Sequence, residues 1–263
     1  MTNNTNLEAD LEILRQALPD PFRLSSELDN FFNHPVAQSL IAGGEESVRR
    51  ILAFLENCQE PAQASVAVLL LSRFEPDLFY PELQKILEKA NRSLTQAFEP
   101  GLWLIKLPEQ QIAEELVRVA RSSGNPHPLL LLQRPVAKQV RSELGNFIRQ
   151  RQMPVSLYAL YAYGYALEPN GIPLLKAVSE WMDLPELAAL AGLYLLRLGS
   201  KDGLAGIRAG LMSPDEALRA ITYYQLAEYL SKTVIAEAGY DATKPGNSQG
   251  AAIDNLIEHA TVK

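Results

Sequence analysis

The sequence predicts an all-α chain and, within that class, an α-solenoid, on three observations. The first is a phrase that occurs twice. Pro185-Glu186-Leu187-Ala188-Ala189-Leu190-Ala191-Gly192-Leu193-Tyr194 returns 29 residues later as Pro214-Asp215-Glu216-Ala217-Leu218-Arg219-Ala220-Ile221-Thr222-Tyr223. The proline, the alanines three and six residues on, and the tyrosine nine on fall in register. Steps of three follow one stripe of an α-helix, and proline suits a helix start. The second observation is apolar periodicity near 3.6 residues, with no alternating apolar and polar runs bounded by turns. The third is punctuation. Asn170-Gly171 and Ser200-Lys201-Asp202-Gly203 break each unit into two helices, and stacked two-helix units of this length build a solenoid.

Each element follows from the same signals. Leu7, Leu11, Leu14 and Leu18 mark an amphipathic helix that Pro19 and Pro21 end. Leu24, Leu28, Phe31 and Phe32 mark a second helix, and Val36, Leu40 and Ile41 a short third that Gly43-Gly44 stops. Val48, Ile51, Leu52 and Leu55 give a fourth, ending near Cys58. Pro61, Ala64, Ala67 and Leu70 open the first clear copy of the repeat, whose second helix carries Leu83, Ile86 and Leu87. Pro154, Leu157, Leu160 and Tyr163 open another copy, 93 residues after Pro61 and 31 before Pro185. Spacing alone places two hairpins between them, Leu94–Ile105 with Glu109–Arg121, and Leu129–Gln133 with Val136–Arg149. Ser213-Pro214-Asp215-Glu216 has the form of a capping box, with serine at the cap and glutamate three on. Beyond Leu230 the pattern weakens to a loop and a last amphipathic helix through Ala252, Ile253, Leu256 and Ile257. The expected organisation is 1–58 as a helical cap, 59–230 as repeats, and 231–263 as a closing loop and helix.

The small residues predict close packing. Ala188, Ala191, Ala217 and Ala220 are expected to let successive first helices approach one another. Tyr163, Tyr194 and Tyr223 would fill the space above them as a buried ladder.

Composition narrows the function classes. At 263 residues, 47% hydrophobic and 21% charged, the chain has the make-up of a folded domain with a sizeable core. A net charge of −7 argues against a general nucleic-acid binder, which needs a dense basic surface. The polar start Met1-Thr2-Asn3-Asn4-Thr5-Asn6 predicts no signal peptide. The longest apolar runs, such as Leu187 to Leu196, fall well short of the roughly 20 residues of a membrane span. A single cysteine, Cys58, forms no internal disulfide, and a reducing cytoplasm is the expected location.

Chemistry is sparse. His34, His127 and His259 stand apart, without Cys–His or His–Glu spacing, so no metal site and no cofactor is expected. There is neither a Gly-x-Ser-x-Gly elbow nor a glycine-rich phosphate loop. Glu56 and Glu60 beside Cys58 disfavour its thiolate. Two surface features stand out. A helix from Val136 to Arg151 carries Lys138, Arg141, Arg149 and Arg151 against Glu143. Tyr158, Tyr161 and Tyr165 follow i, i+3, i+7 on the face opposite Tyr163. That stripe either packs between repeats or binds a partner.

Pro61–Leu87, Pro154–Trp181, Pro185–Leu211 and Pro214–Tyr229, with a proline at the start of an alanine-rich first helix, resemble the short HEAT-like repeats. The subclass they most resemble occurs in phycobilisome bilin lyases and related proteins. The resemblance implies a right-handed superhelix of antiparallel helix pairs that binds partners on its concave surface, and it points to a phycobiliprotein as the partner. No residue matches a lyase catalytic motif. The expected function is therefore a non-enzymatic adaptor or assembly factor with a protein partner. Tyr158, Tyr161 and Tyr165 would be its apolar anchors, and Lys138, Arg141 and Arg149 would orient the partner. The alternative is a phycobilin lyase or isomerase acting on phycobiliproteins.

Overall fold

A computed structural model describes residues 4–17, 24–230 and 232–262 of the chain, and every regular element among them is a helix. The all-α expectation holds. None of the described helices is long and apolar enough to cross a membrane. The chain divides into two units, 1–140 and 141–263. Leu18, expected within the first helix, and Pro19 and Pro21, expected to end it, lie outside the described residues.

The first unit contains α1 (Asn4–Ala17), α2 (Leu24–Asn33), α3 (Pro35–Ala42), α4 (Gly44–Leu55), α5 (Pro61–Leu71), α6 (Tyr80–Lys89), α7 (Arg92–Leu102) and α8 (Glu109–Ser123). Its centre is α5, in which every residue from Ala64 to Leu71 is buried. A helix that is apolar all round has no solvent face to offer. Helices α1, α3, α4 and α7 surround it. Gly101 of α7 lies on the α5 backbone, and a Cβ there would sit 2.5 Å from the amide nitrogen of Leu69. Chain order does not dictate the pairing. Helix α7 packs chiefly on α5, and α8 packs on α6.

Two expected helices differ. The Leu129–Gln133 helix is a 3-10 segment, His127–Leu132, and the Val136–Arg149 helix begins as a second one, Pro135–Val140. Pro126, Pro128 and Pro135 explain both. Proline lacks the N–H of the i→i−4 ladder and pushes the preceding residue out of the α region.

The second unit holds α9 (Arg141–Arg149), α10 (Val155–Tyr163), α11 (Ile172–Ser179), α12 (Pro185–Arg197), α13 (Leu204–Met212), α14 (Glu216–Tyr229), α15 (Lys232–Ala238) and α16 (Gly250–Val262). Helix α12 is its centre, with Leu187 to Leu196 all buried. It packs against α11 and α13, and has α10 and α14 as further neighbours. Gly203 meets Gly192, and Gly206 lies on the carbonyl of Ala188, so α12 and α13 touch backbone to backbone. This corrects the expected role of the alanines. Ala188 admits the second helix of its own pair, and Ala217, expected to admit a neighbouring first helix, is exposed.

The expected capping box also shifts. Asp215, not Ser213, caps α14 by accepting the amide of Ala217 at 2.8 Å. The Ser213 hydroxyl instead accepts the amide of Asp215 at 3.1 Å and shapes the turn before the cap.

The closing segment docks firmly on this unit. Ile253, Leu256 and Ala260 of α16 share a core with Leu193, Ile207, Leu211 and Leu226. The Tyr240 hydroxyl donates to the Leu211 carbonyl at 2.7 Å. Buried Arg219 donates to the carbonyls of Ser213, Pro214 and Ala242. The matched tyrosines have unlike surroundings. Tyr163 and Tyr194 are buried, with their hydroxyls against Gly171 and Gly164, whereas Tyr223 is half-buried with its ring 5.1 Å from that of Tyr240.

Replacing Tyr194 by alanine is expected to lower the unfolding free energy by about 3–5 kcal/mol in urea titrations. Gly206→Ala, which drives a methyl into the α12 backbone, should lower it by about 1–3 kcal/mol. Gly250→Ala, with open space around it, should leave stability unchanged or raise it by about 0.4–1 kcal/mol. Equal behaviour of the two glycine variants would contradict the close-contact account.

Candidate functional site

The residues that most often carry chemistry are engaged in structural contacts. The Nδ1 of His34 accepts the amide of Val36 at 3.3 Å and caps α3. His127 pairs with Asn125 at 2.7 Å, while Asn125 itself donates to the carbonyls of Leu87, Glu88 and Ala90 at the end of α6. His259 meets the carbonyl of Asn255 at 2.9 Å. Among the described residues no three His, Cys, Asp or Glu side chains are grouped to hold a metal ion.

Cys58 is buried, and its thiol donates to the Glu60 carbonyl at 3.3 Å. Burial pushes its pKa up and the charge of Glu60 adds to that, so the thiol form is favoured. It borders a cavity of about 350 Å³ in the first unit with Lys85, Ile86, Lys89 and Leu94. Lys85 is held by Glu82 at 2.6 Å. No histidine lines this cavity, and nothing in it pairs a nucleophile with a base.

The basic stretch fares unevenly. Lys138 is exposed in the first unit. In the second unit Arg141 pairs with Glu168, and Arg149 is exposed and donates to Asn146 at 3.2 Å. Arg151 lies over the Trp181 ring at 4.7 Å and donates to both carboxylate oxygens of Asp183 at 2.7 Å. The single helix expected over Val136–Arg151 is two elements, so α-helical spacing does not relate Lys138 to Arg141.

The tyrosine stripe grades from inside to outside. Tyr158 is 9% exposed and belongs to the core, Tyr161 is half-buried, and Tyr165 is 50% exposed. Tyr161 lines a groove of about 140 Å³ formed by α10, α12 and α14, with Leu157, Leu190, Leu193, Leu218 and Ile221 as its apolar walls. The Thr222 hydroxyl, also in its lining, donates to the Leu218 carbonyl at 2.8 Å, so its proton is already engaged. Ile221 is 46% exposed, and Tyr224, three residues on, is 66% exposed. The polar groups of the groove are Glu186, Asp215 and Gln225. Sequence reasoning found Tyr161 and missed Ile221, Tyr224 and Gln225. The available signal was an apolar i, i+3 pair on α14, Ile221 and Tyr224, that does not belong to the buried set of Leu218 and Leu226.

Burial pushes Tyr194 upward, with Arg197 opposing the effect and Tyr161 and Tyr165 adding to it. In the first unit burial pushes Tyr80 up to about 12. In comparisons with known proteins the chain matches no family model, no curated protein and no solved structure.

These hydroxyls fix an alkaline limit. Their folded pKa values lie above the unfolded value of about 10, so the stability they contribute is complete below that pH and is lost as pH rises towards the folded values. An alkaline titration should show some tyrosinate absorbance appearing only as helical circular dichroism collapses. Full tyrosine ionisation with the helices intact would contradict the burial of Tyr80 and Tyr194.

Proposed function

We propose that this protein is a non-enzymatic adaptor or assembly factor, an α-solenoid of HEAT-like hairpins that grips a protein partner in the groove of α10, α12 and α14. The observation that carries this reading is the groove itself, an apolar trough with exposed Ile221 in its wall and exposed Tyr224 three residues on along α14. Large exposed aromatic and aliphatic side chains beside a concavity suit recognition, and tyrosine is enriched at binding hot spots. The neighbour pattern of the second unit supports the solenoid, since first helices α10, α12 and α14 adjoin in order, as do second helices α11 and α13.

Tyr161 and Tyr165 take the anchoring role, and Tyr158 supports them from the core. Of the expected orienting cations, Lys138 and Arg149 are exposed, and Arg141 is tied to Glu168. The resemblance to bilin-lyase repeats nominates a phycobiliprotein as the partner. A lyase or isomerase would need room for an open-chain tetrapyrrole. The groove, at about 140 Å³, is smaller than the roughly 300–1,000 Å³ of small-molecule sites.

Calorimetric titration with purified phycobiliprotein subunits tests the reading. Wild-type chain should bind, and Ile221→Asp, with its fold verified by circular dichroism, should bind at least about tenfold more weakly. Equal affinity of the two would remove the groove from the interface. No binding by wild type would remove this partner. A colour change on mixing the chain with phycocyanobilin alone would favour the lyase.

A further inference from the structure

Resting on that adaptor reading, we infer that the groove takes an apolar segment carrying a lysine or arginine, whose cation reaches Glu186 and Asp215. The charge of the lining has one sign. Both ionised residues that line the groove are carboxylates, and no lysine or arginine joins them. Among the described residues no cation pairs with Glu186. Asp215 uses one carboxylate oxygen to accept the Ala217 amide, which leaves the other for a partner. The arginine of α14, Arg219, is turned away into the backbone carbonyls of Ser213, Pro214 and Ala242. Farther along the groove, the Oε1 of Gln225 is buried and accepts a hydrogen bond from no described residue.

The physics then selects the occupant. Covering Glu186 and Asp215 with an uncharged apolar segment strips water from two carboxylates and gives them nothing in return, a heavy penalty. A lysine or arginine removes that penalty through a charge-assisted hydrogen bond. Its aliphatic stem lies along an apolar wall while its head stays at the carboxylates. The groove of about 140 Å³ has the volume of roughly four or five water molecules, which is room for one or two large side chains. A short segment with one or two apolar anchors and an adjacent cation therefore fits, whereas an acidic segment is repelled.

A random-peptide display library selected on the purified full chain tests the inference. The selected peptides should carry lysine or arginine beside large apolar residues. Their affinity should fall at least about tenfold for Ile221→Asp, and also for Glu186→Gln combined with Asp215→Ser, in which serine keeps a cap on α14. Raising salt should weaken the wild-type complex and have little effect on that double variant. Peptides that depend on Ile221 but carry no cation, or that ignore the double variant, would overturn the charge inference and leave the groove as a binding site. If no selected peptide depends on Ile221, both the inference and the groove fail.

Discussion

The constraint on which the structure turns is backbone-to-backbone contact against a wholly buried helix. In the first unit it is Gly101 on the Val68–Leu69 backbone of α5, and in the second Gly203 and Gly206 on Gly192 and Ala188 of α12. Interiors are packed like organic crystals, so a methyl group at such a contact has nowhere to go. Close contact places the apolar side chains of α5 and α12 within reach of neighbours on every side, which is why both helices tolerate continuous runs of Ala, Val and Leu. It also fixes the spacing of whatever lies next to them. Helix α14 meets Gly210 of α13 through Thr222, and together with α10 and α12 it lines the groove through Leu218 and Ile221.

Arg219 shows how the second unit closes its end. A buried guanidinium needs every available acceptor, and here three main-chain carbonyls supply them. Two come from the turn before α14 and one from the loop that leads to α16, so one cation ties both segments to α14. Tyr240 adds its bond to Leu211, and α16 contributes the apolar cover. The segment past Leu230 thereby covers apolar side chains of α12, α13 and α14 that would otherwise meet water.

Much of this was legible in the residues. Helix content, the breaks at Asn170-Gly171 and Ser200–Gly203, and the burial of Tyr163 and Tyr194 follow from period and punctuation. What the sequence concealed were effects of three-dimensional partners. Ala188 and Ala217 occupy one register position, yet one meets Gly206 and the other meets water, because α13 reaches α12 at Ala188 but reaches α14 at Thr222. Tyr158, Tyr161 and Tyr165 span the range from core to surface, because α10 ends at Tyr163 and Tyr165 lies in the turn beyond it, off the expected helical stripe. The 3-10 segments around Pro128 and Pro135 are signalled by their prolines, whose effect on the backbone overrides the leucine-rich periodicity. The groove left the faintest trace, because its parts come from three helices far apart in sequence.

The character of the groove also sets how a partner would be held. A trough that admits one or two side chains leaves most of the affinity to a few anchors, while the surrounding contact mainly excludes water. Carboxylates at one end contribute differently. On a chain of net charge −7 they would extend an attraction to a basic segment that begins before contact, which raises the rate of encounter more than it slows escape. The exposed tyrosines suit the slower part of the process, since a rigid ring loses little conformational freedom when it is covered. Shape therefore selects which segment can seat, and charge selects which way round it lies. A partner with the right apolar anchors but an acid at the Glu186 end would be rejected by repulsion, not by poor fit.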